Sequence, residues 1–374
     1  MKSNKLYFDF LIIGGGIQGC SAGFFLSKRK QKVALIEKDV IGRHASGANA
    51  GGVRTLGRDT SEIPLSIASM DWWNEIETLL SIKNSFFKSR YIKVAQNNDD
   101  VSKAQNRILD LNKKGFTHEK WLGKSELNNL LPKISNHCIG GISVEGDGWA
   151  YPWKIVRGLA SKSLSQGLQI FEKTFAKAFV KKKDYWEVTT TAGKFYAQNI
   201  LNCSGAWGGE LAKILGEQEL PIKSYAPMLA ITDPQPKFLN SVIGILNAPL
   251  SLKQIDTGQL IIGGGIKGKA STENNETKIN PYGLKNTIQN AISVFPHIDN
   301  VRIIRSWSGI EGYFPDNLPV IGPGSKEGVV HAFGFSAHGF QLGLAVGEAL
   351  ADMSMKMQTK IKLDAFSIRR FKSF

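Results

Sequence analysis

The first 36 residues follow a strand, helix, strand order in their apolar and polar positions. Residues 9–13 are an apolar run of strand length, and residues 32–36 form a second such run. Between them, residues 17–28 place Phe24, Phe25 and Leu26 where a helix would bury them. This order predicts one β-α-β unit at the start of the chain.

The rest of the chain shows helix and strand patterns of unequal clarity. Residues 63–80 carry aliphatic side chains at helical spacing, whereas residues 81–138 are mixed in character and lead to no assignment. Residues 221–304 combine short strands with turn residues, which is typical of a mainly antiparallel sheet. The other predicted elements are strands over 168–171, 176–180, 186–191, 199–202 and 329–335, a helix over 339–353, and a basic end over 364–374.

Composition narrows the class of protein. The chain has 374 residues, 42% hydrophobic and 21% charged, which is typical of a globular protein with two domains. The net charge of +15 is scattered, and its densest run, residues 181–183, fits a solvated hairpin turn, so we predict no nucleic-acid binding. No stretch approaches the roughly 20 apolar residues of a membrane span. The widely spaced Cys20, Cys138 and Cys203 predict a reducing, cytoplasmic setting and no metal site.

A glycine-rich turn stands between the first strand and the first helix. Residues 14–19 fit G-x-G-x-x-G, whose glycines allow a tight turn and close approach of the backbone to a pyrophosphate. The helix that follows offers free N–H groups to phosphate, and Glu37 ends the second strand, where a carboxylate can accept ribose hydroxyls. Residues 263–268 match the same string, but the polar residues 269–278 follow them, so we predict a strand end and a loop there.

Four further segments carry a resemblance to a known family. Residues 42–54, rich in small side chains, resemble the second flavin-contacting loop of the FAD-dependent amine oxidoreductases, the family of D-amino-acid oxidase, glycine oxidase and sarcosine oxidase. Residues 202–207, residues 305–310 with 315–322, and residues 334–343 resemble other segments of that family that lie beside the flavin. The helix that begins in the last segment would point its N-terminus at the flavin and stabilise negative charge on the reduced ring.

The resemblance implies an α/β fold, with a Rossmann-like FAD-binding domain and a second, mainly antiparallel β (α+β) substrate domain. We expect residues 1–80, 145–215 and 320–374 to form the discontinuous FAD-binding domain, and residues 81–144 and 216–319 to form the substrate domain. The cofactor-binding residues predicted in this way are Gly14, Gly15, Gly16, Ile17, Gln18, Gly19, Glu37, Lys38, Arg43, Ser46, Asn49, Ala50, Gly51, Gly52, Val53, Arg54, Ala176, Ser204, Gly205, Trp207, Gly309, Ala337, His338, Gly339, Phe340 and Gln341.

The chain departs from the family where substrate is held. Glu311 stands where glycine and D-amino-acid oxidases have a carboxylate-binding arginine, and Gln341 stands where monomeric sarcosine oxidases have a lysine. A substrate carboxylate would therefore depend on Arg54, Tyr225, Tyr313 or His338. The predicted catalytic residues are His338, Gln341, Glu311 and Tyr313, with a helix-start role for His338 and an ion pair between Glu311 and Arg305 as the structural alternatives.

The resemblance also predicts the chemistry. An FAD-dependent enzyme of this type oxidises the C–N bond of a small secondary amine or amino acid, such as a sarcosine-like amine, a D-amino acid, hydroxyproline or an opine. Hydride passes to the flavin, the imine hydrolyses, and oxygen or an electron acceptor reoxidises the flavin. No cysteine that could attach flavin lies near Trp307, which favours non-covalent FAD. No oxygen-activating lysine lies in residues 260–263, which favours a dehydrogenase over an oxidase.

Two alternatives belong to other functional classes. One is an FAD-dependent 2-hydroxy-acid or glycerol-phosphate-type dehydrogenase, which would share the cofactor domain. The other is a flavin-holding subunit of a larger complex, because close members of the family work with partner subunits.

Overall fold

The computed structural model describes residues 6–371. The strands of this part of the chain are β1 (Leu6–Ile13), β2 (Val33–Ile36), β3 (Gly52–Val53), β4 (Phe86–Ala95), β5 (Lys120–Gly123), β6 (Gly140–Ala150), β7 (Gln169–Phe171), β8 (Ala176–Lys181), β9 (Trp186–Thr190), β10 (Gly193–Asn202), β11 (Lys223–Ala226), β12 (Met228–Thr232), β13 (Val242–Ile245), β14 (Ser251–Gln254), β15 (Leu260–Gly263), β16 (Gly268–Ser271), β17 (Glu276–Lys278), β18 (Ile303–Ser308), β19 (Glu311–Tyr313), β20 (Val320–Pro323) and β21 (Val329–Phe333).

Helices connect and cover these strands. They are α1 (Ile17–Lys28), α2 (Ala45–Ala48), α3 (Ile63–Asn74), α4 (Ile76–Leu80), α5 (Asn98–Lys113), α6 (Lys124–Leu130), α7 (Pro152–Ser165), α8 (Gly208–Ile214), α9 (Pro281–Val294) and α10 (Gly339–Ser354). Short 3₁₀ turns add Gly205–Trp207, Pro296–Ile298, Asp364–Phe366 and Ile368–Phe371. Across residues 6–371, no helix combines the length and the apolar character needed to span a bilayer.

The first sheet has a parallel centre. Its order is β20-β21-β10-β1-β2-β7, and the pairings from β21 to β7 are parallel. β2 is buried along its whole length, because α1, α7 and α10 cover one face of the sheet while α8 and the β8–β9 hairpin cover the other. The predicted β-α-β unit is therefore present at the centre of this sheet.

A second, mainly antiparallel sheet faces the first across a cleft. Its order is β18-β12-β15-β14-β13-β4-β6-β3 with β5 beside β6, and only β13 and β4 among its described pairings run parallel. A small sheet, β17-β16-β11-β19, adjoins it. The α/β fold with a second, mainly antiparallel part is thus as predicted. The domain limits stay a prediction, and residues 1–5 and 372–374 lie outside the described chain.

The two ends of the chain meet at the first sheet. Helices α1 and α10 pack along each other, and the side-chain amide of Gln18 donates to the Gly339 carbonyl at 3.0 Å. A Cβ on Gly343 would lie 2.8 Å from Ile17 Cγ1, so the close approach of the two helices requires a glycine there. Their N-termini consequently open on the same cleft.

Several sequence interpretations needed correction or completion. Residues 81–138, which led to no assignment, form β4, α5, β5 and α6. Gly263 does end a strand as predicted, but residues 269–278 are not only a loop, because β16 and β17 make a hairpin there. Helix α9 lies inside the segment predicted as strands and turns; Asn280 caps it and Pro281 starts it, two signals that the strand pattern obscured.

Candidate active site

A cavity of about 840 Å³ runs between the first sheet and the second sheet. The glycine turn, the loop around α2 and the start of α10 form one part of its wall, and β4 with residues 245–251 forms another. The carboxyl ends of β1, β2 and β10 open on it, which is where open α/β sheets bind nucleotides. We call the part beside the glycine turn the nucleotide end.

The glycine turn of the nucleotide end leaves no room for side chains. Gly14 has φ +109°, and a Cβ there would lie 2.5 Å from the Cys203 carbonyl oxygen. A Cβ on Gly19 would lie 2.0 Å from the Gly14 carbonyl oxygen. Helix α1 has no side-chain cap, and its Ile17 N–H donates to Ser46 Oγ at 2.9 Å, so a helix N-terminus and a hydroxyl meet in the cavity wall.

Glu37 ends β2 at the nucleotide end and is held by backbone. Its Oε2 accepts from the Gly15 N–H at 2.7 Å, and its Oε1 accepts from the Asp39 N–H at 2.8 Å. Burial raises the pKa of Glu37, and these two N–H groups oppose that rise. The position and the remaining lone pairs suit an acceptor of ribose hydroxyls.

Neighbouring side chains close this end. Lys38 Nζ lies 4.1 Å from the centre of the Trp207 ring and forms a 2.5 Å ion pair with Asp39. The Trp207 indole N–H donates to the Thr272 carbonyl at 2.9 Å, and Lys38 donates to Asn275 at 2.7 Å. The β16–β17 hairpin therefore packs over the nucleotide end.

The loop around α2 is fixed by its own polar groups. The Asn49 amide donates to the Ala45 and Ser46 carbonyls at 3.0 and 2.8 Å, and its Oδ1 accepts from the Gly51 N–H at 2.7 Å. The Trp307 indole donates to the Ala48 carbonyl at 2.9 Å. The small residues thus expose backbone to the cavity, while these hydrogen bonds hold the loop in one conformation.

A buried lysine also supports this loop. Lys253 on β14 donates to the Ala50 carbonyl, and its Nζ lies 4.5 Å from the centre of the Trp149 ring. Burial lowers the pKa of Lys253 to about 7. Lys253 pairs across the sheet with Ile261, so a lysine does reach this region from the strand next to residues 260–263. The preference for a dehydrogenase over an oxidase stays a prediction.

Three cations stand in the wall away from the nucleotide end. Arg54 and Arg58 follow β3, and Lys93 points inward from β4; we call the three residues the cationic wall. Burial and Arg54 lower the pKa of Arg58 to about 9, and burial, Arg54 and Arg107 lower the pKa of Lys93 to about 7. Nη1 of Arg58 is buried and has no hydrogen-bond partner among residues 6–371.

Gln341 and His338 lie behind the cationic wall. Gln341 Oε1 accepts from Arg58 Nη2 at 3.0 Å and from Ser66 Oγ at 2.9 Å. His338 Nδ1 lies 2.8 Å from Glu62, and burial, reinforced by Arg58, lowers the His338 pKa to about 4. The imidazole is therefore neutral at pH 7.

Glu311 and Tyr313 occupy β19. Glu311 accepts from the Ala337 N–H at 2.9 Å and from the Tyr313 hydroxyl at 3.2 Å, and burial raises the pKa of both residues. Lys267 Nζ lies 3.7 Å from the centre of the Tyr313 ring. Glu311 therefore has partners other than Arg305, which pairs with Ile231 in the second sheet.

The structure brings together most of the predicted site residues. Of the predicted catalytic residues, Glu311 lines the cavity, whereas His338, Gln341 and Tyr313 stand behind its wall. The predicted cofactor-binding residues that stand behind or beside the wall are Gly15, Gly19, Gly51, Val53, His338 and Gln341. Those that line the cavity are Gly14, Gly16, Ile17, Gln18, Glu37, Lys38, Arg43, Ser46, Asn49, Ala50, Gly52, Arg54, Ala176, Ser204, Gly205, Trp207, Gly309, Ala337, Gly339 and Phe340.

Sequence reasoning missed Arg58, Tyr91 and Lys93. Two signals were present: Arg58 lies four residues after the segment 42–54 and directly after Gly57, and Lys93 interrupts an otherwise apolar run of strand length. In a strand, Tyr91 and Lys93 share a face, so a lysine among buried residues marks an inward charge. Residues 245–251, which also line the cavity, carry no comparable signal.

These features together define a nucleotide-binding α/β protein with a charged pocket beside the nucleotide end. Its glycine turn, two convergent helix N-termini and ribose-type acid fit a flavin dinucleotide. The family model for the DAO family, FAD dependent oxidoreductase, matches residues 9–353. The chain therefore belongs to the DAO family of FAD-dependent oxidoreductases, and its cofactor is FAD.

Individual relatives match nearly the whole chain. Glycine oxidase from Geobacillus kaustophilus is 26% identical and covers 97% of both chains. The hydrogen cyanide synthase subunit HcnC from Pseudomonas protegens is 24% identical, over 98% of this chain and 96% of the relative. The crystal structure of L-proline dehydrogenase from P. horikoshii superposes with a TM-score of 0.91 at 24% identity, covering 98% of each chain. The chain is thus an FAD-dependent oxidoreductase of this family.

Proposed function

We propose that this enzyme oxidises the C–N bond of a small secondary amine or amino acid that carries a carboxylate. The observation that supports the proposal is the cationic wall, which stands in the same cavity as the glycine turn. One relative is a glycine oxidase, and a buried cation is a group that can recognise the carboxylate of an amino acid. We further propose that FAD is bound non-covalently.

Arg58 holds the substrate carboxylate in this proposal. Its Nη2 donates to Gln341 and its Nε donates to the Arg54 carbonyl at 3.2 Å, which fixes the guanidinium plane. Nη1 is left as a free donor in a buried position, and a buried donor without a partner costs free energy until an acceptor arrives. Gln341 then acts as a positioning residue for Arg58.

Bound FAD supplies the hydride acceptor for this reaction. The cationic wall raises the free energy of a protonated amine nearby, so it favours binding of the neutral amine, whose nitrogen lone pair assists loss of hydride from the adjacent carbon. Neutral His338, paired with Glu62, adds no further positive charge. On the side of β19, Glu311 lines the cavity and the buried Tyr313 donates to it from behind the wall.

An anaerobic substrate panel tests the proposal. Purified holoenzyme is mixed without oxygen with sarcosine, N-methyl amino acids, D-amino acids, prolines, opines, 2-hydroxy acids and glycerol phosphate, and the visible flavin band is followed. Bleaching by one of the carboxylate-bearing amines is the expected result. Bleaching by hydroxy acids or glycerol phosphate alone, or by none of these compounds, contradicts the proposal and favours the dehydrogenase or subunit alternative.

A further inference from the structure

The cationic wall brings three basic side chains together on one cavity. Among residues 6–371, the structure records no carboxylate within 4.0 Å of the charged atoms of Arg54, Arg58 or Lys93. Burying unpaired charge is costly, so such a cluster points to an anion that arrives from outside.

The nearby carboxylates have other partners. Glu119 accepts hydrogen bonds from Nε and Nη2 of Arg107, both at 2.8 Å, and from the Gly57 N–H at 2.7 Å. Asp147 accepts the backbone N–H groups of Thr55 and Leu56 at 2.8 and 3.1 Å. Glu119 and Asp147 therefore hold the loop after β3 in place, and neither forms an ion pair with the cationic wall.

Two of the three cations lie close together beside Gly57, where Arg54 Nη1 also donates to the Leu56 carbonyl. Lys93 Nζ and Arg54 Nη1 lie 2.8 and 3.5 Å from the point where a Cβ on Gly57 would stand. Gly57 has φ +70°, and any larger residue there would fill the space beside both charges. Lys93 Nζ makes no recorded hydrogen bond to residues 6–371, so its donors are available to a ligand.

We infer that Lys93 and Arg54 form a second anion subsite, and that the substrate is a secondary amine bearing two carboxylates. This inference rests on the proposed function: Arg58 holds the carboxylate beside the reacting C–N bond, and Lys93 with Arg54 holds the carboxylate on the other substituent of the nitrogen. An amine with one carboxylate would leave Lys93 and Arg54 without an anionic partner. The enzyme would therefore prefer the amine with two carboxylates.

The test uses two non-oxidisable ligands of one skeleton, so that binding is measured apart from turnover. Methoxyacetate carries one carboxylate and diglycolate carries two on the same C–O–C chain. Each is titrated into FAD-loaded enzyme by calorimetry at about pH 6, where Lys93 is protonated. We expect diglycolate to bind about 10–100-fold more tightly than methoxyacetate. Equal affinities in the wild type overturn the inference without any variant.

Variants assign the effect to the subsite. Lys93→Met is expected to remove most of the preference for diglycolate while leaving methoxyacetate affinity within about twofold, and Lys93→Arg is expected to keep part of the preference. Lys88→Met is the matched control, because Lys88 is an exposed lysine of the same strand that donates to Asn74 at 3.1 Å. A Lys93→Met enzyme that retains FAD and the full preference overturns the inference.

Turnover separates this inference from the proposed function. We expect N-(carboxymethyl)glycine to reduce the holoenzyme anaerobically at a concentration about 10–100-fold lower than sarcosine requires. This result would support both the proposed function and the inference. Reduction by the two amines at equal concentration sustains the proposed function and overturns the inference. Reduction by neither, nor by any other carboxylate-bearing amine, overturns both.

Discussion

The two ends of the cavity are built on different principles. At the nucleotide end the acceptors, such as Glu37 and Ser46, already accept hydrogen bonds from backbone, and glycines bring that backbone close to the ligand. At the cationic wall, Arg58 has a buried donor with no acceptor, and Lys93 Nζ donates no hydrogen bond within residues 6–371. Close backbone approach suits a cofactor shared by a family, whereas unpaired charge distinguishes one substrate from another. Substitutions are therefore expected to affect the two ends in different ways.

The largest effect is expected at Gly19. Gly19→Ala puts a Cβ 2.0 Å from the Gly14 carbonyl oxygen, which forces apart the turn and α1. We expect loss of roughly 1–3 kcal/mol of unfolding free energy or more, and loss of most bound FAD. The readouts are thermal denaturation and the ratio of flavin to protein absorbance. Gly123→Ala is the control, since a Cβ there meets nothing within 4 Å, and similar losses in both variants would contradict the account.

A smaller and more selective effect is expected at Arg58. Arg58→Met removes the free Nη1 donor, so KM for the reducing amine is expected to rise about 10–100-fold, with normal FAD content. Arg58→Lys keeps the charge but not the fork of donors and should fall between Met and wild type. Steady-state kinetics with flavin quantification make the measurement. A variant that loses FAD, but whose FAD-loaded fraction keeps the wild-type KM, would show that Arg58 supports cofactor binding and not substrate binding.

Ligand affinity should depend on pH at one end only. Burial, Arg54 and Arg107 hold the Lys93 pKa at about 7, below its ordinary value, so Lys93 loses its charge as the pH rises through about 7. Diglycolate affinity should then fall by up to about tenfold per pH unit above 7, while methoxyacetate affinity changes little. Calorimetry of holoenzyme from about pH 6 to 9 is the check. The charged residues around Lys93 are Arg54, Arg58, Arg107 and Glu119.

Removal of Lys93 should also remove that pH dependence. Lys93→Met enzyme is expected to bind diglycolate weakly and evenly over the same range. A wild-type profile that is flat, or that rises with pH, would show that Lys93 is not the group that carries the charge.

The smallest effect is expected at Gln341, which acts through Arg58. Gln341→Met removes the acceptor for Arg58 Nη2 at similar side-chain volume, and should raise KM only a few-fold with kcat nearly unchanged. In an Arg58→Met background the same change should add almost nothing. Equal and additive effects of the two substitutions, measured by steady-state kinetics, would mean that Gln341 acts independently of Arg58.

The nucleotide end could be predicted from sequence because each of its parts is a short contiguous segment. The β-α-β unit, the glycine turn and Glu37 lie within residues 6–37, where local periodicity and turn chemistry specify the backbone. The turn that starts α10 was found through a resemblance in the same way. Backbone groups do most of the work at this end, so predicting the backbone path was enough.

The cationic wall could not be predicted as a unit. Arg54 and Arg58 lie in one segment and Lys93 in another, and β4 was hidden in a stretch without clear periodicity. A motif also fixes where a residue stands but not where its side chain points. His338 and Gln341 lie at the start of α10 as predicted. Their side chains nevertheless lie behind the wall, because His338 contacts Glu62, just before α3, and Gln341 contacts Ser66, in α3.

The most direct measurement is an anaerobic titration of the purified FAD enzyme with N-(carboxymethyl)glycine, alongside the Arg58→Met variant. We expect the wild-type flavin band to bleach completely and the variant, equally yellow, to need far more amine for the same change. The central claim is that one cavity binds both the cofactor and an amine that carries a carboxylate. Protein that does not bind FAD, or flavin that stays oxidised with every carboxylate-bearing amine, would contradict it.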